Sequence, residues 1–328
     1  MKQESADSRL LTWRVMAGEI VRNPLSGTGF GTFEGEYAKN QAEFFRTHPD
    51  SRFMQVADAP SHGFNEYLQI GMETGIPGIL LLAAILVISF IRLYRTKQPA
   101  AYGLLSLMVF ALFSYPLSLI PFQILLALFI CQSAGSDRES AAPGKSIYAD
   151  RISLIVSSCL IIAITTMIRP YYNEKILAAK EWKEIRYFYN MGLYHDCLPD
   201  YAKLYPTLSD NPRFLFEYGH SLNKMENYTK SNPVLEEGAE ISNDPMFFNI
   251  IGNNYKELGD YGAAEESYAA AFAIVPNRLY PLFLLMNLYK DSGQHAKARE
   301  IAKRIIEFRP KVESSATKQM REEAGELI

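Results

Sequence analysis

The sequence predicts an all-α protein in which about four membrane-spanning helices are followed by a solenoid of paired helices. Two observations support this prediction. Uncharged apolar runs recur between residues 76 and 168, and from residue 170 onward the chain is amphipathic, with a repeat period of 34 residues. The two halves differ in hydropathy, so an average over the whole chain describes neither of them.

The composition excludes several classes of protein. The net charge is −3 and Lys and Arg are not concentrated in one region, so we expect no nucleic-acid partner. The cysteines at positions 131, 159 and 197 have no CxxC or Cys/His spacing, so we expect no metal site and no disulfide. The first residues lack the charged, apolar and small-residue order of a signal peptide. Membrane insertion must therefore depend on internal segments.

Apolar runs define the membrane segment, residues 76–169. The run that starts at Ile76 carries no charge before Arg92 and is long enough to cross a hydrocarbon core of about 30 Å. The uncharged stretch 101–134 is interrupted at Tyr115-Pro116, so it forms either two short spans or one long, tilted helix. We favour two spans. The predicted spans are residues 76–94, 101–115, 117–134 and 152–168.

The loops between the spans predict the orientation. Both the loop after the first span and the loop before the last are basic, and short basic loops stay in the cytoplasm. We therefore expect a multi-pass protein of the bacterial inner membrane with its N-terminal segment and its C-terminal half in the periplasm. The N-terminal segment is itself hydrophilic and partly basic. Either Met1 is not the natural start, or this segment crosses the membrane unaided.

Residues 170–328 contain an internal repeat. Gly252, Tyr255, Ala264, Tyr268 and Pro276 resemble the tetratricopeptide pattern, which places small residues at helix crossings and a proline after the second helix. Several of these positions recur 34 residues later, as Tyr289, Ala298 and Pro310 do. Weaker copies come before this repeat. The predicted repeats are residues 178–211, 212–244, 245–278 and 279–312, followed by a C-terminal cap.

Residues 1–75 form a region that is neither apolar nor repetitive. Residues 8–21 predict an amphipathic helix able to lie on a membrane surface. A glycine run over residues 23–33 predicts a structural turn, and a loop is expected from there to Ser61. A further helix is predicted from His62 to Gly75, where it meets the first span.

The order of several motifs is similar to that of a known family. The motifs are Ser8-Arg9 with Trp13, Asn23-Pro24-Leu25, the glycines at 27, 29 and 31 with Phe33, Asn65-Glu66-Tyr67-Leu68-Gln69, Glu73-Thr74-Gly75 and Phe113-Ser114-Tyr115-Pro116-Leu117. Through them, residues 7–134 resemble the periplasmic loop and the following spans of the O-antigen ligases and polymerases.

The resemblance implies a membrane glycosyltransferase of cell-surface polysaccharide biosynthesis. The donor would be a glycan on an undecaprenyl-diphosphate carrier, and the acceptor a saccharide on lipid A-core, a protein or a growing polymer. No metal or cofactor is implied. Membrane lipid and, through the repeats, a protein partner complete the expected partners. Relatives have many spans before this loop, so we expect this chain to be an N-terminally truncated fragment that is inactive alone.

Arg9 and His62 are the candidate catalytic residues that the resemblance implies. A guanidinium can stabilise the departing diphosphate, and an imidazole can take the proton of an acceptor hydroxyl near neutral pH. The family pattern has a histidine directly before the asparagine, whereas this chain has Phe64 there and His62 two residues earlier. The candidate substrate-binding residues are Arg14, Asn65, Tyr67 and Glu73.

Two readings of the function remain at this point. The first is the glycan-transferring enzyme, with Arg14 as second choice for the role of Arg9. The second is a non-catalytic scaffold, in which the membrane half is an anchor and the repeats bind a protein partner. Asn65, Tyr67 and Glu73 either line the site or pack the loop against the first span.

Overall fold

The computed structural model describes residues 2–136 and 147–328, with side chains for residues 3–135 and 166–328. Throughout these ranges the secondary structure is helical, and no strand occurs in them. The all-α prediction is therefore confirmed for the part of the chain that is described. Three structural parts follow one another along it: an N-terminal module, an apolar bundle and a solenoid.

The N-terminal module packs its helices around one apolar core. It consists of α1 (Lys2–Arg22), α2 (Phe33–Thr47) and a short 3₁₀ helix (Arg52–Val56). Leu11 and Met16 of α1 are fully buried, because α1 packs against α2 and the 3₁₀ helix. Most of the apolar face that the sequence predicts for a membrane surface therefore lies inside the protein, whereas Val21 at its end is exposed.

Helix α2 shows that the predicted loop from residue 33 to Ser61 is wrong. Phe33, Tyr37 and Phe45 recur at helical spacing and are buried on one face of α2. The glycines just before Phe33 indicate a turn, and the helical pattern after them is short and interrupted by polar residues. The buried face becomes visible only when its partner, α1, is in place.

The apolar bundle consists of three helices. Leu93 of the first helix and Leu104 of the second are fully buried between them, and Phe129 of the third packs against this core. Gly103 allows the close approach, since a Cβ there would lie 2.7 Å from the Phe129 ring. The elements are α3 (Glu66–Arg95), α4 (Ala100–Ala111), a 3₁₀ turn (Pro116–Ser118) and α5 (Ile120–Ser136).

The lengths of the bundle helices can be compared with the four predicted membrane spans. Among the described residues, α3 is the one helix that is long and apolar enough to cross a membrane. Helices α4 and α5 have 12 and 17 residues, or about 18 and 26 Å, which is less than the hydrocarbon thickness of about 30 Å. The uncharged stretch forms two helices rather than one tilted helix. The prediction of four spans is therefore not tested. The side chains of residues 152–165, in the last predicted span, are not among those that the structure describes.

Helix α3 is kinked at Gly75, and the glycine run packs against the kink. Gly75 has a φ of 72°, and Pro77 has no N–H to donate to the Glu73 carbonyl. The amides of Thr28 and Gly29 donate instead to the Met72 and Glu73 carbonyls, at 3.0 and 2.9 Å. The run from residue 23 to 31 is therefore a structural turn that satisfies backbone groups released by the kink.

The C-terminal half is a stack of helix pairs. Each predicted repeat contains one pair, the first formed by the end of α6 with α7. Helix α6 continues through Pro170, so the predicted join lies inside a helix, and the domain boundaries stay a prediction. The helices are α6 (Ile147–Asn190), α7 (Tyr194–Leu208), α8 (Pro212–Lys224), α9 (Tyr228–Glu240), α10 (Met246–Glu257), α11 (Tyr261–Ile274), α12 (Tyr280–Asp291), α13 (His295–Glu307) and α14 (Ser315–Gly325).

Replacing Gly252 by alanine should destabilise the solenoid. A Cβ on Gly252 would lie 2.4 Å from the Tyr268 ring at the crossing of α10 and α11, and overpacking of this kind costs about 1–3 kcal/mol. Gly262→Ala is the matched control, because the nearest atom to its Cβ would be 3.6 Å away. Urea titration of the full chain in detergent, followed by helical circular dichroism, should show a lower midpoint for Gly252→Ala alone. Equal midpoints for the two variants would contradict the tight crossing.

Candidate functional site

The candidate site lies where α1, the segment before α3 and the turn between α4 and α5 meet. The Arg9 Nη1 group donates a hydrogen bond to the Phe113 carbonyl at 3.2 Å. One helical turn further along α1, the Trp13 indole N–H donates to the Gly63 carbonyl at 3.1 Å. The Trp13 ring also contacts the Phe113 ring, with 6.3 Å between centroids. Helix α1 thus holds both neighbouring segments.

Arg9 and His62 are linked through two aromatic rings. The Arg9 guanidinium lies 5.1 Å from the centroid of the Phe64 ring. The Phe64 ring meets Tyr115 edge to face at 5.7 Å, and the Tyr115 ring also contacts the His62 ring, with 4.4 Å between centroids. The structure therefore brings the two predicted catalytic residues into one cluster, although they are 53 positions apart (62 − 9) in the chain.

Phe64 adopts a backbone conformation that is unusual for a large side chain. Its φ is 53°, in the left-handed region that favours glycine. The flanking residues hold it there: the Gly63 amide donates to the Gln69 side chain at 2.9 Å, and the Asn65 side chain accepts from the Leu68 amide at 3.0 Å. Strain of this kind is maintained only where neighbouring contacts fix the chain. Here it directs the Phe64 ring between Arg9 and Tyr115.

Glu66 was part of a predicted motif but was not selected as a site residue. Its side chain is buried, and its carboxylate accepts a hydrogen bond of 2.7 Å from the Leu117 amide. Leu117 lies in the 3₁₀ turn Pro116–Ser118, directly after Tyr115, where free amides favour a negative charge. Glu66 therefore fixes the Tyr115 turn against the start of α3. The sequence signal was an acidic residue directly after the Asn65 cap.

The other predicted residues have structural contacts. Asn65 caps α3, which is why α3 begins at Glu66 and not at His62. The Tyr67 hydroxyl donates to the Met108 carbonyl at 3.1 Å, joining α3 to α4. Glu73 is buried, and its backbone carbonyl accepts from the glycine run. Substrate contacts by Asn65, Tyr67 and Glu73 stay predictions.

Arg14 is not part of the cluster around Arg9. It lies five residues further along α1, and its guanidinium is 5.4 Å from the centroid of the Phe44 ring on α2. A separation of five residues turns the side chain by about 140° around the helix axis. Arg14 therefore faces α2 rather than the turn that carries Tyr115, and its predicted role stays a prediction.

Partial burial changes the acid–base behaviour of His62. Desolvation lowers the pKa of its imidazole below the ordinary value of 6.5, because burial disfavours the charged form. The neutral ring, which can accept a proton, therefore predominates near neutral pH. Since the unfolded chain binds this proton more tightly, the associated stability is present above pH 6.5 and is lost as the pH falls through the lowered pKa.

A cleft of about 580 Å³ lies beside Arg9. One wall is the start of α1, which contributes the hydroxyls of Ser5 and Ser8, and another is the segment 55–58. Residues 310–312, which follow the last helix pair of the solenoid, form the remaining wall. The repeats therefore help to enclose the space into which Arg9 faces. Among the described residues no group of three or more His, Cys, Asp or Glu could hold a metal ion.

Comparison with known proteins bears on both ends of the chain. Residues 1–83, with Arg9, His62 and the glycine run, match the family model described as O-antigen ligase. The resemblance to that family is confirmed. Residues 247–278 match a tetratricopeptide-repeat model. The family match ends before the turn at Phe113–Leu117, so that part of the resemblance rests on the motif alone.

Solved structures show weaker likenesses. One, titled "Crystal structure of MamA protein", is 16% identical, with a TM-score of 0.38, and the match covers 46% of this chain and 87% of that one. Another, titled "MamA MSR-1 C2", is also 16% identical, with a TM-score of 0.33 and coverages of 42% and 71%. Likenesses at this level carry no argument about this chain. No curated protein matches it.

Removing the Tyr115 ring should raise the pKa of His62. Tyr115→Ala uncovers one face of the imidazole, so the charged form regains water and the pKa moves toward 6.5. The measurement is an NMR titration of the labelled histidine imidazoles in detergent. Tyr102→Ala, which removes an outward-facing ring on α4, is the control. An unchanged or lower His62 pKa in Tyr115→Ala would contradict the burial of His62 by the Tyr115 ring.

Proposed function

We propose that this protein transfers a glycan from an undecaprenyl-diphosphate carrier to a saccharide acceptor. The observation that carries the proposal is the convergence of Arg9 and His62 at one end of an apolar bundle. Both residues lie in the region that matches the O-antigen ligase family. In this proposal Arg9 stabilises the departing diphosphate and His62 is the base that activates the acceptor.

The position of the cluster on the bundle supports a reaction at a membrane surface. The cluster surrounds the start of α3, whereas Arg92 and Arg95 lie in its last turn. Outward-facing side chains between these ends are apolar, as expected for contact with lipid, and include Leu80, Leu81 and Ile88. With the basic end in the cytoplasm, Arg9 and His62 lie at the periplasmic surface, beside the head groups. We include the multi-pass inner-membrane location and the periplasmic repeats in this proposal.

Each residue would act on a different bond. The acceptor hydroxyl gives its proton to an imidazole nitrogen of His62, while its oxygen forms a bond to the anomeric carbon of the donor glycan. The bond between that carbon and the diphosphate oxygen breaks, and the electron pair leaves with undecaprenyl diphosphate. Arg9 uses one N–H for the Phe113 carbonyl, and the guanidinium has further N–H groups to donate to the diphosphate.

In this displacement the base and the cation act on different sides of the sugar. The incoming oxygen and the leaving oxygen lie on opposite sides of the anomeric carbon, so the base and the cation need not touch. The rings of Phe64 and Tyr115 lie between the two residues. Apolar ring faces also bind the C–H surface of a saccharide. The cleft beside Arg9 lies within the usual size range of ligand sites, about 300–1,000 Å³.

The repeats support a second part of the proposal. Tetratricopeptide repeats stack into an extended surface of the kind that binds peptides, so we propose a protein partner for the solenoid. If the membrane half has no catalytic activity, this binding surface is the remaining function, and the protein is a membrane-anchored scaffold. The enzymatic hypothesis requires Arg9 and His62 for glycan transfer, whereas the scaffold hypothesis does not.

Substituting Arg9 or His62 should reduce glycan transfer. Arg9→Ala removes the positive charge opposite the diphosphate, and loss of one such stabilising group costs about 10²–10³ in rate. His62→Ala removes the base, for which a loss of about 10²–10⁴ is typical. The measurement is surface glycan on gels, from cells that carry the variant at the gene's own locus, with protein level determined in parallel.

Arg22→Ala is the matched control, because Arg22 lies at the other end of α1 and pairs with Glu19 at 3.6 Å. It should leave surface glycan unchanged. Unchanged glycan in both Arg9→Ala and His62→Ala, at normal protein level, would refute the enzymatic reading and leave the scaffold.

A further inference from the structure

The repeats contact one short segment of the N-terminal module at a fixed register. Asn243, Asn277 and Lys311 are 34 residues apart, which is the repeat period, and so occupy the same position in successive repeats. Each donates a hydrogen bond to residues 54–60, the segment that leads to His62. We call 243, 277 and 311 the clamp positions and residues 54–60 the clamped segment.

Asn277 makes the central contact. Its side-chain amide donates to the Ala57 carbonyl at 2.7 Å and also lies 3.2 Å from the carbonyls of Met54 and Gln55. Asn277 is 3% exposed and Ala57 is fully buried, so water does not compete for these groups. A buried carbonyl that lost its donor would remain unsatisfied, which makes this contact specific for an amide N–H.

The contacts made at the two outer clamp positions, 243 and 311, differ in strength. Asn243 is also buried, and its amide donates to the Pro60 carbonyl at 2.6 Å. Lys311 pairs with the Asp58 carboxylate at 2.8 Å, but both side chains are about half exposed. Exposed ion pairs contribute little to stability. Asn277 and Asn243 should therefore hold the segment, and Lys311 should mainly set its direction beside the Arg9 cleft.

Helix α2 fixes the clamped segment from its other side. The Gln41 side-chain amide donates both to the Asp58 carbonyl, at 2.9 Å, and to the Ile274 carbonyl at the end of α11, at 2.6 Å. Gln41 is fully buried. Close approach of α2 to the solenoid requires Gly35, because a Cβ there would lie 1.9 Å from the Glu240 carbonyl oxygen. One amide thus joins the N-terminal module, the clamped segment and the repeats.

We propose that the clamp positions of the solenoid position His62 for the reaction. The clamped segment ends at Pro60, so its backbone fixes the direction in which the chain enters the His62–Tyr115 contact. The positioning role rests on the proposed function, whereas the clamp itself does not. In this proposal one edge of the repeats is already occupied by the protein's own chain, and Asn277 and Asn243 are positioning residues.

Asn277→Asp tests the clamp with almost no change in size. Aspartate replaces the amide's two N–H donors by a single O–H when it is protonated, and when it is ionised it repels the carbonyls of Met54, Gln55 and Ala57. Hydrogen exchange of the full chain in detergent should show amides of residues 53–63 exchanging about 10- to 100-fold faster. Amides of α10 (Met246–Glu257) should not change by more than about twofold, which distinguishes release of the segment from general unfolding.

Ser209→Ala is the matched control, because Ser209 occupies the clamp position of the first repeat and has no hydrogen bond to residues 54–60 among the described contacts. It should leave exchange unchanged. If Asn277→Asp does not fold, Asn243→Ala carries the test, with exchange of residues 53–63 expected to rise about 2- to 10-fold. Unchanged exchange in a folded Asn277→Asp or Asn243→Ala variant would overturn the clamp.

Two further measurements, the His62 pKa and the amount of surface glycan, distinguish the positioning role from the proposed function. In Asn277→Asp the pKa of His62 should rise toward 6.5, because the ring leaves Tyr115, and surface glycan should fall at normal protein level. Faster exchange with unchanged surface glycan would overturn the positioning role and leave the clamp. If Arg9→Ala and His62→Ala do not affect glycan, the proposed function fails, while the exchange result still decides the clamp.

Discussion

The break in α3 is the constraint on which the N-terminal half of the structure depends. Pro77 removes a donor and Gly75 turns the chain, so the carbonyls of Met72 and Glu73 need partners from elsewhere. The glycine run provides them, and only glycine at position 27 permits the approach, since a Cβ there would lie 2.4 Å from the Glu73 carbonyl carbon. Because α1 leads into this run and α2 leads out of it, the break determines where both helices start to pack.

The candidate site follows from that arrangement. With α1 fixed at its C-terminal end, Arg9 and Trp13 reach the turn between α4 and α5 and the chain before α3. Glu66 holds the same turn from the opposite side through the Leu117 amide. Arg9 and His62 therefore depend on contacts among three distant segments, and none of these segments could form the cluster alone.

Local patterns predicted much of the fold. Gly252, Tyr268 and the 34-residue period indicate helix pairs because each repeat buries its face against an immediate neighbour in the chain. The glycine run indicated a turn, since a positive φ restricts the choice of residue. Arg9 and His62 were found because motif order indicated a family, and not because any spacing placed them together. Helix α2 was missed because its buried face is defined by α1.

Contacts between distant parts of the chain could not be predicted in this way. Asn277 resembles an ordinary polar residue of an inter-repeat loop, and its main acceptor, Ala57, lies 220 positions earlier. Nothing in a short window around either residue indicates the other. The same holds for the Arg9 cleft, whose wall at residues 310–312 comes from the opposite end of the sequence.

Helix α6 gives the solenoid a second attachment. It has 44 residues, or about 66 Å at helical rise, and its last part is the first helix of the stack. The solenoid is thus tethered covalently at its first repeat and held non-covalently at its later ones. A load that bends the stack is therefore resisted at the later repeats, through the Asn243 and Asn277 contacts, as well as by the chain at the first repeat.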